Sequence, residues 1–184
     1  MRQRSVIRGA NALSLALLCA TPICAAAEGE LFEEHHAHEH GVATLEVAVD
    51  ASRLALQFRS PAMNLLGFEH PPRTAQDTAA VARAMKWLRD PATQFQPSAD
   101  ARCSVTRSDV VPPDWEHSAE HAEFAADYEF HCKHPAALQH LEVRLLEQLV
   151  PDVKFEVQVA SPAGQHSTEL TRANTRLPLR SRPK

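Results

Sequence analysis

The chain contains 184 residues, a length typical of a single domain. Lys and Arg number 19 against 23 Asp and Glu, a mildly acidic balance that argues against nucleic-acid binding through a basic face. Only five residues are glycine, and the Gly-x-Gly-x-x-Gly and Gly-x-x-x-x-Gly-Lys motifs are both absent, which excludes glycine-rich nucleotide-binding loops.

Residues 1–27 have the three parts of a secretory signal peptide. Three arginines precede an apolar stretch at 12–20, and three alanines at 25–27 form a small-residue cleavage pattern. The apolar stretch is shorter than a bilayer span requires, so we expect cleavage and no membrane span in the mature chain. A lipid anchor at Cys19 or Cys24 is the alternative, which is disfavoured because each follows a bulky residue.

A short polar arm, residues 28–41, is expected after the signal peptide, and it is rich in histidine. Of the 11 histidines in the chain, four lie close together in this arm: His35, His36, His38 and His40. Neutral imidazole is a good ligand for zinc, copper(II) and nickel(II). The arm therefore predicts divalent-metal binding, and a polar leader without a metal role is the alternative.

Strands are predicted where apolar residues alternate, and helices where they recur every three or four positions. The turn Asp50-Ala51-Ser52 joins the first two strands in a hairpin, and Thr74 starts a helix with capping-box spacing. The predicted elements, in chain order, are strands 42–50 and 53–59, an irregular apolar segment at 63–68, a helix from Thr74 to about Leu88, strands 102–110 and 121–132, a helix from Pro135 to Val150, and strands 153–159 and 165–171.

The order β-β-α-β-β-α-β-β favours an α+β fold. Two short helices are too few to cover both faces of six strands. We therefore expect an antiparallel or mixed sheet of about six strands with both helices on one face. The metal-binding domain is expected to cover residues 42–172, and the basic, proline-containing tail, 173–184, is expected to be disordered.

Two cysteines, Cys103 and Cys132, remain after removal of the signal peptide. In an exported protein such a pair is most simply a disulfide, because the compartment is oxidising. Each cysteine shares the apolar parity of its predicted strand, so both sulfurs can lie beneath the same helix layer. A pair of metal thiolates is the alternative.

A second set of possible metal ligands follows strand 121–132, on which alternate residues share one face. The outward-facing ligands are His121, Glu123, Asp127, Glu129 and His131. His121 and His131 lie roughly 33 Å apart on a straight strand, so one ion cannot bind both. The candidate sites are therefore His117 and His121 with His38 and His40; His131 and His134 with Glu129; and Glu69 with His70.

Catalytic motifs are missing from the sequence. There is no His-Glu-x-x-His, no Gly-x-Ser-x-Gly and no triad-like spacing of Ser, His and Asp. A disulfide would also remove the free thiol that a cysteine nucleophile needs. We therefore expect a protein that is not an enzyme.

Three motifs resemble those of one protein family. They are His-Ala-His-Glu-His-Gly-Val-Ala at 36–43, Ser-Pro-Ala-Met-Asn-Leu-Leu-Gly-Phe-Glu-His at 60–70, and Val-Gln-Val-Ala-Ser-Pro-Ala-Gly-Gln at 157–165. Together they resemble the zinc-regulated periplasmic zinc-binding proteins of Gram-negative bacteria, once a family of unknown function. The likeness spans about residues 35–180. Members of that family often carry a long His- and Asp-rich loop between the middle strands, whereas the loop here, 112–120, is short.

The resemblance implies a periplasmic protein that binds Zn²⁺ and assists zinc acquisition or homeostasis, in association with a zinc importer. The residues that it assigns to the metal, by position, are His38, His40, His70, His117 and His121. The short loop favours one ordered site over high-capacity zinc storage.

Two other functions remain open from the sequence. An envelope interaction module would use the apolar segment 63–68 as its docking surface, and its histidine arm would be incidental. A copper- or nickel-handling protein would use the same ligands, because the Irving–Williams order favours Cu(II) over zinc at such sites.

Overall fold

The computed structural model of the protein describes residues 40–116 and 122–180. Three short 3₁₀ turns, Ala99–Ala101, Pro135–Ala137 and Arg144–Gln148, connect longer elements. The helices and strands, in chain order, are β1 (Val42–Asp50), β2 (Arg53–Pro61), α1 (Ala62–Leu66), α2 (Ala75–Leu88), α3 (Pro91–Gln94), β3 (Phe95–Pro97), β4 (Cys103–Val111), β5 (Glu123–Cys132), β6 (His140–Val143), β7 (Lys154–Ser161), β8 (Gly164–Leu170) and β9 (Arg176–Pro178).

Six of the strands form one mixed sheet with the order β4-β5-β2-β1-β7-β8. The pair β1–β7 is parallel, and every other neighbouring pair in this sheet is antiparallel. The predicted hairpin is confirmed, with Leu45 of β1 opposite Phe58 of β2. Alternate residues of these strands are buried, which is the pattern expected when a sheet covers a core on one face. The α+β class and the sheet of about six strands are therefore confirmed.

The core lies on one face of this sheet, where helix α2 and a second, smaller sheet pack. Tyr128 of β5 shows the arrangement: its hydroxyl donates to the Leu88 carbonyl of α2 at 2.7 Å, and its ring lies 5.3 Å from that of Phe95 in β3. Burial raises the pKa of the Tyr128 hydroxyl strongly, so this group remains a hydrogen-bond donor. The predicted helix up to Leu88 is confirmed, including the capping box between Thr74 and Asp77.

The second predicted helix, 135–150, is wrong. This segment instead contains a 3₁₀ turn, strand β6 and another 3₁₀ turn. Strand β6 is the centre of a three-stranded sheet, β3-β6-β9, in which Leu141 pairs with Leu177. The leucines at helical spacing are buried here as expected, but they are buried from strand β6 and the 3₁₀ turns beside it. Apolar spacing alone does not distinguish these structures from a helix over a short segment.

Two further expectations need correction. Helix α1 overlaps most of the segment predicted as irregular, 63–68, and Gly67 caps this helix with a positive φ of 80°. The tail predicted to be disordered from residue 173 contains strand β9 and buries Leu177 and Leu179. Both segments are ordered by contacts with distant parts of the chain, which local polarity does not reveal. Residues 181–184 lie outside the described part.

The two ends of the main sheet are named here by what adjoins them: the predicted histidine arm at one end and the disulfide at the other. At the arm end, β1 and β5 begin while β2 and β4 end. At the opposite, disulfide end, Cys103 of β4 is bonded to Cys132 of β5, which confirms the predicted bridge. No helix in the described ranges is both long and apolar enough to cross a membrane.

Candidate metal centre

Three stretches that carry candidate histidines join the fold at the arm end. His40 is separated from β1 by Gly41 alone, and Glu69 and His70 follow α1, which itself follows β2. Ala122 directly precedes β5, and its carbonyl accepts a hydrogen bond from the Ala62 amide at 2.6 Å. The described residues that adjoin each of these three stretches therefore lie at the same end of the main sheet.

His40 is oriented by Glu69. The Nε2 atom of His40 lies 2.7 Å from Oε2 of Glu69, with the histidine side chain 58% exposed and the glutamate side chain 30% exposed. An ionised carboxylate only accepts hydrogen bonds, so Nε2 of the neutral ring carries the hydrogen and donates it. The lone pair of Nδ1 is then available to a metal. Carboxylates that accept from the second ring nitrogen commonly orient metal-binding histidines.

His70 is oriented by the backbone. Its Nδ1 atom lies 3.0 Å from the Pro71 carbonyl oxygen, and its ring stacks on Phe68 with centroids 4.8 Å apart. Because a carbonyl oxygen only accepts, Nδ1 of the neutral ring donates and Nε2 keeps its lone pair. Of the sequence-predicted pair Glu69 and His70, Glu69 thus contacts His40, whereas the ring of His70 contacts Pro71 and Phe68.

A further carboxylate, Asp77 of helix α2, lies close enough to His70 to interact with it electrostatically. Its pKa is lowered, chiefly because its side chain accepts from the Arg73 amide and also bonds to Thr74. The positive charge that His70 gains on protonation favours the ionised form of Asp77 as well. The surroundings of His70 are therefore favourable to a cation.

The other predicted ligands are not described by the structure. His35, His36, His38, His117 and His121 lie outside residues 40–116 and 122–180. Within these two ranges, no group of three or more His, Cys, Asp or Glu side chains is placed to hold a metal ion. Since a structural zinc site needs four ligands, His40 and His70 would need donors from the remaining histidines to complete one.

The alternative ligand set at the disulfide end is not assembled. Glu129 is bound by Arg53 at 2.5 Å, with Arg107 at 3.8 Å, and the hydrogen bond from Arg53 is the main cause of its lowered pKa. Nδ1 of His134 lies 3.2 Å from the Asp100 carbonyl oxygen. The set of Glu129, His131 and His134, all of it in the described ranges, forms no metal-binding group. The alternative of cysteine ligands is also wrong, because the disulfide leaves no thiolate.

The docking surface considered for an interaction module is not supported either. Ala62 and Leu65 are buried in α1, so the apolar segment packs against the core. Among the described residues the exposed large apolar side chain is Val111, in the edge strand β4. A single exposed valine is ordinary for a protein surface and does not indicate an interface.

Sequence reasoning missed Asn64, which lies in the same motif as Glu69 and His70. Its side chain is fully buried and bonds to the backbone of both Gly41 and Val42, at the start of β1. The signal that could have found it is a carboxamide within an otherwise apolar stretch, because a buried polar side chain needs hydrogen-bonding partners.

These features define a class of protein: an α+β domain that is a candidate for metal handling, because an exposed histidine is oriented by a carboxylate at one end of its main sheet. The chain belongs to the ZrgA family of zinc uptake proteins, because the family model described as "ZrgA family zinc uptake protein" matches residues 37–179. This match confirms the family that the three motifs predicted. It describes a zinc uptake family and not an enzyme family. A comparison with curated proteins finds no match.

Proposed function

We propose that the protein binds zinc in the periplasm through a site at the arm end and thereby assists zinc acquisition. The observation that carries this proposal is the hydrogen bond between His40 and Glu69, which orients an exposed imidazole against the residue that precedes His70 in the chain. Membership of a zinc uptake family supports zinc as the ion. The predicted signal peptide of residues 1–27 supports export.

The remaining ligands are proposed to come from the two stretches that adjoin the arm end. In the arm these are His35, His36 and His38; before β5 they are His117 and His121. His38 lies two residues before His40, so the extended chain allows at most about 7 Å between their α-carbons. His121 directly precedes Ala122, the residue that bonds to α1. Short chain distances therefore favour a site shared by these histidines, His40 and His70.

The chemistry of the proposed site suits a divalent ion that is to be transferred. Neutral imidazoles bind zinc without bringing a full negative charge, and the nearby carboxylates of Glu69 and Asp77 lower the electrostatic cost of the cation. The exposed side chain of His40 can be reached by solvent, which suits release to a zinc importer component. Copper(II) and nickel(II) prefer similar ligands, so competition titrations decide between the metals.

The proposal is tested by calorimetric zinc titration of the chain from residue 28 to residue 184. Replacing His40 and His70 with alanine is expected to weaken zinc binding by about tenfold or more, the size of effect seen when metal-site groups are removed. The matched control replaces His131 and His134, which lie at the disulfide end. This control variant is expected to bind zinc like the unmodified chain.

Two results would contradict the proposed function. One is the absence of zinc binding by the unmodified chain at micromolar concentration. The other is equal weakening by the control variant, which would show that no particular end of the sheet holds the ion. Binding is also expected to weaken between about pH 7.5 and about pH 5, because protonated imidazoles do not bind metals.

A further inference from the structure

We propose that Asn64 is a positioning residue for the zinc site. Its buried carboxamide clamps the chain between His40 and β1 onto helix α1, and so holds the His40 ring beside Glu69. This inference rests on the proposed zinc function and adds a residue that does not touch the metal.

The contacts of Asn64 use its whole side chain. Its Oδ1 atom accepts from the Gly41 amide at 2.9 Å. Its Nδ2 atom donates to the Val42 carbonyl at 2.7 Å and to Oγ of Ser60 at 3.2 Å. The residue is 0% exposed, so water cannot replace these partners. The carboxamide therefore connects the first residues of β1, the end of β2 and helix α1 at one buried point.

Only a carboxamide performs this task at this position. The Gly41 amide needs an acceptor and the Val42 carbonyl needs a donor, and a side chain that supplies both must carry one of each. A carboxylate of the same shape would accept from Gly41 but would face the Val42 carbonyl without a hydrogen to donate. Because unmet hydrogen bonds are costly in a buried site, the network is stable only when complete.

Gly41 is held from a second side as well. Its carbonyl accepts from the Lys154 amide at 2.9 Å, at the start of β7, and its φ of 86° lies in the left-handed region. The residue before it is His40. Because the amide and the carbonyl of Gly41 are both bonded, the path of the chain from His40 into β1 is fixed. Nε2 of His40 then lies 2.7 Å from Oε2 of Glu69.

The segment that carries Glu69, the partner of His40, is also held in place through Asn64. The Asn64 carbonyl accepts from the Val150 amide at 2.9 Å, and Gly67 ends α1 with its amide bonded to the Met63 carbonyl at 2.9 Å. Glu69 follows this ordered turn two residues later. Asn64 thus anchors the arm through its side chain and the Glu69 segment through its backbone, and the His40–Glu69 contact depends on both.

The test compares the unmodified chain with Asn64→Asp, which preserves shape, and Asn64→Ala. The control is Tyr128→Phe, which removes a buried hydrogen bond between β5 and α2 that does not involve Asn64. Zinc affinity is measured by competition with a chelator, and exchange of the Gly41 amide is measured by NMR without zinc. Both Asn64 variants are expected to bind zinc about tenfold more weakly and to exchange the Gly41 amide faster. Tyr128→Phe is expected to lose thermal stability without either change.

A measurement on the unmodified chain does not depend on whether a variant folds. Coupling between two sites is reciprocal, so saturating zinc is expected to slow exchange of the Gly41 amide if the clamp positions His40. Unchanged zinc affinity in the Asn64 variants, or no slowing by zinc, would overturn the positioning role and leave the zinc function standing. Absence of zinc binding by the unmodified chain would overturn both the zinc function and the positioning role. The exchange rate of the Gly41 amide without zinc would still show whether Asn64 holds Gly41.

Discussion

The two ends of the six-stranded sheet both present histidines and carboxylates, yet they use them differently. At the disulfide end, the carboxylate of Glu129 binds the guanidinium of Arg53, and the imidazole of His134 bonds to the backbone. At the arm end, the carboxylate of Glu69 bonds to the imidazole of His40. A carboxylate that is paired with a guanidinium is satisfied as an ion pair, whereas one paired with an imidazole orients a possible metal ligand. The two ends therefore differ more clearly in the hydrogen-bond partners of their carboxylates than in the residue types that they contain.

The ends also differ in what holds them together. The covalent bond between Cys103 and Cys132 joins β4 to β5 at one end. The other end depends on the hydrogen bonds of Asn64, which connect α1 to β1. We therefore expect the disulfide to serve stability and the Asn64 network to serve the metal site, a division that substitutions at each end can test.

The largest effect is expected from removal of the disulfide by Cys103→Ala with Cys132→Ala. The bridge closes a chain separation of 29 residues. The chain-entropy estimate for such a loop is about 3–4 kcal/mol of unfolding free energy, measured by denaturant titration. Zinc affinity of the folded variant is expected to be unchanged, because the bridge lies at the opposite end from His40. An equal loss of zinc affinity would contradict the division between the ends.

A smaller effect is expected for Gly41→Ala at the arm end. A Cβ atom here would lie 3.9 Å from the Asp152 carbonyl, an ordinary contact, so the cost arises from the positive φ. That cost is about 1–2 kcal/mol of unfolding free energy. Zinc affinity should fall as well, because relaxation of Gly41 moves the adjacent His40.

The control for this substitution is Gly164→Ala, at the first residue of β8 at the disulfide end, where φ is also positive. It is expected to lower thermal stability and leave zinc affinity unchanged. If both glycine variants changed zinc affinity equally, general destabilisation would explain the result and the special role of Gly41 would be wrong.

The smallest effect concerns pH and Asp77, the third residue of helix α2, which forms the capping box with Thr74. Its pKa is lowered from the ordinary value of 3.8, mainly by the Arg73 amide, so the folded state favours the ionised form. The stabilisation is therefore complete above the unfolded-state pKa and is lost as the pH falls through the lower folded-state pKa. Asp77→Asn is expected to melt below the unmodified chain at about pH 7, and the difference is expected to shrink as the pH falls below the ordinary pKa of 3.8. A melting difference that is independent of pH would contradict this assignment.

Much of the fold follows from local sequence patterns. The strict alternation of β1, β2 and β5 places every second side chain in the core, and the Thr74 capping box marks the start of α2. Segment 135–150 shows the limit of such patterns. Its leucines satisfy a helical spacing, but pairing of Leu141 with Leu177, 36 positions away, selects a strand. Local propensity is a weak preference, and tertiary contacts override it.

The candidate site was partly visible in the same way. Imidazole chemistry identified His40 and His70 as possible ligands, and five more histidines outside the described ranges remain predictions. No spacing in the sequence indicated that Glu69 would orient His40 or that Asn64 would hold Gly41, because these contacts join residues more than twenty positions apart.

The amino-acid sequence by itself determined the family, the strands of the main sheet, helix α2, the disulfide pair and the residue types suited to a metal. Only the tertiary structure decided which histidine meets which carboxylate, which end of the sheet is bridged covalently, and which segments build the second sheet. The physical reason is range. Periodicity, capping and redox chemistry act between near neighbours or on single residues, whereas a hydrogen bond between distant residues exists only after the chain has folded around a common core.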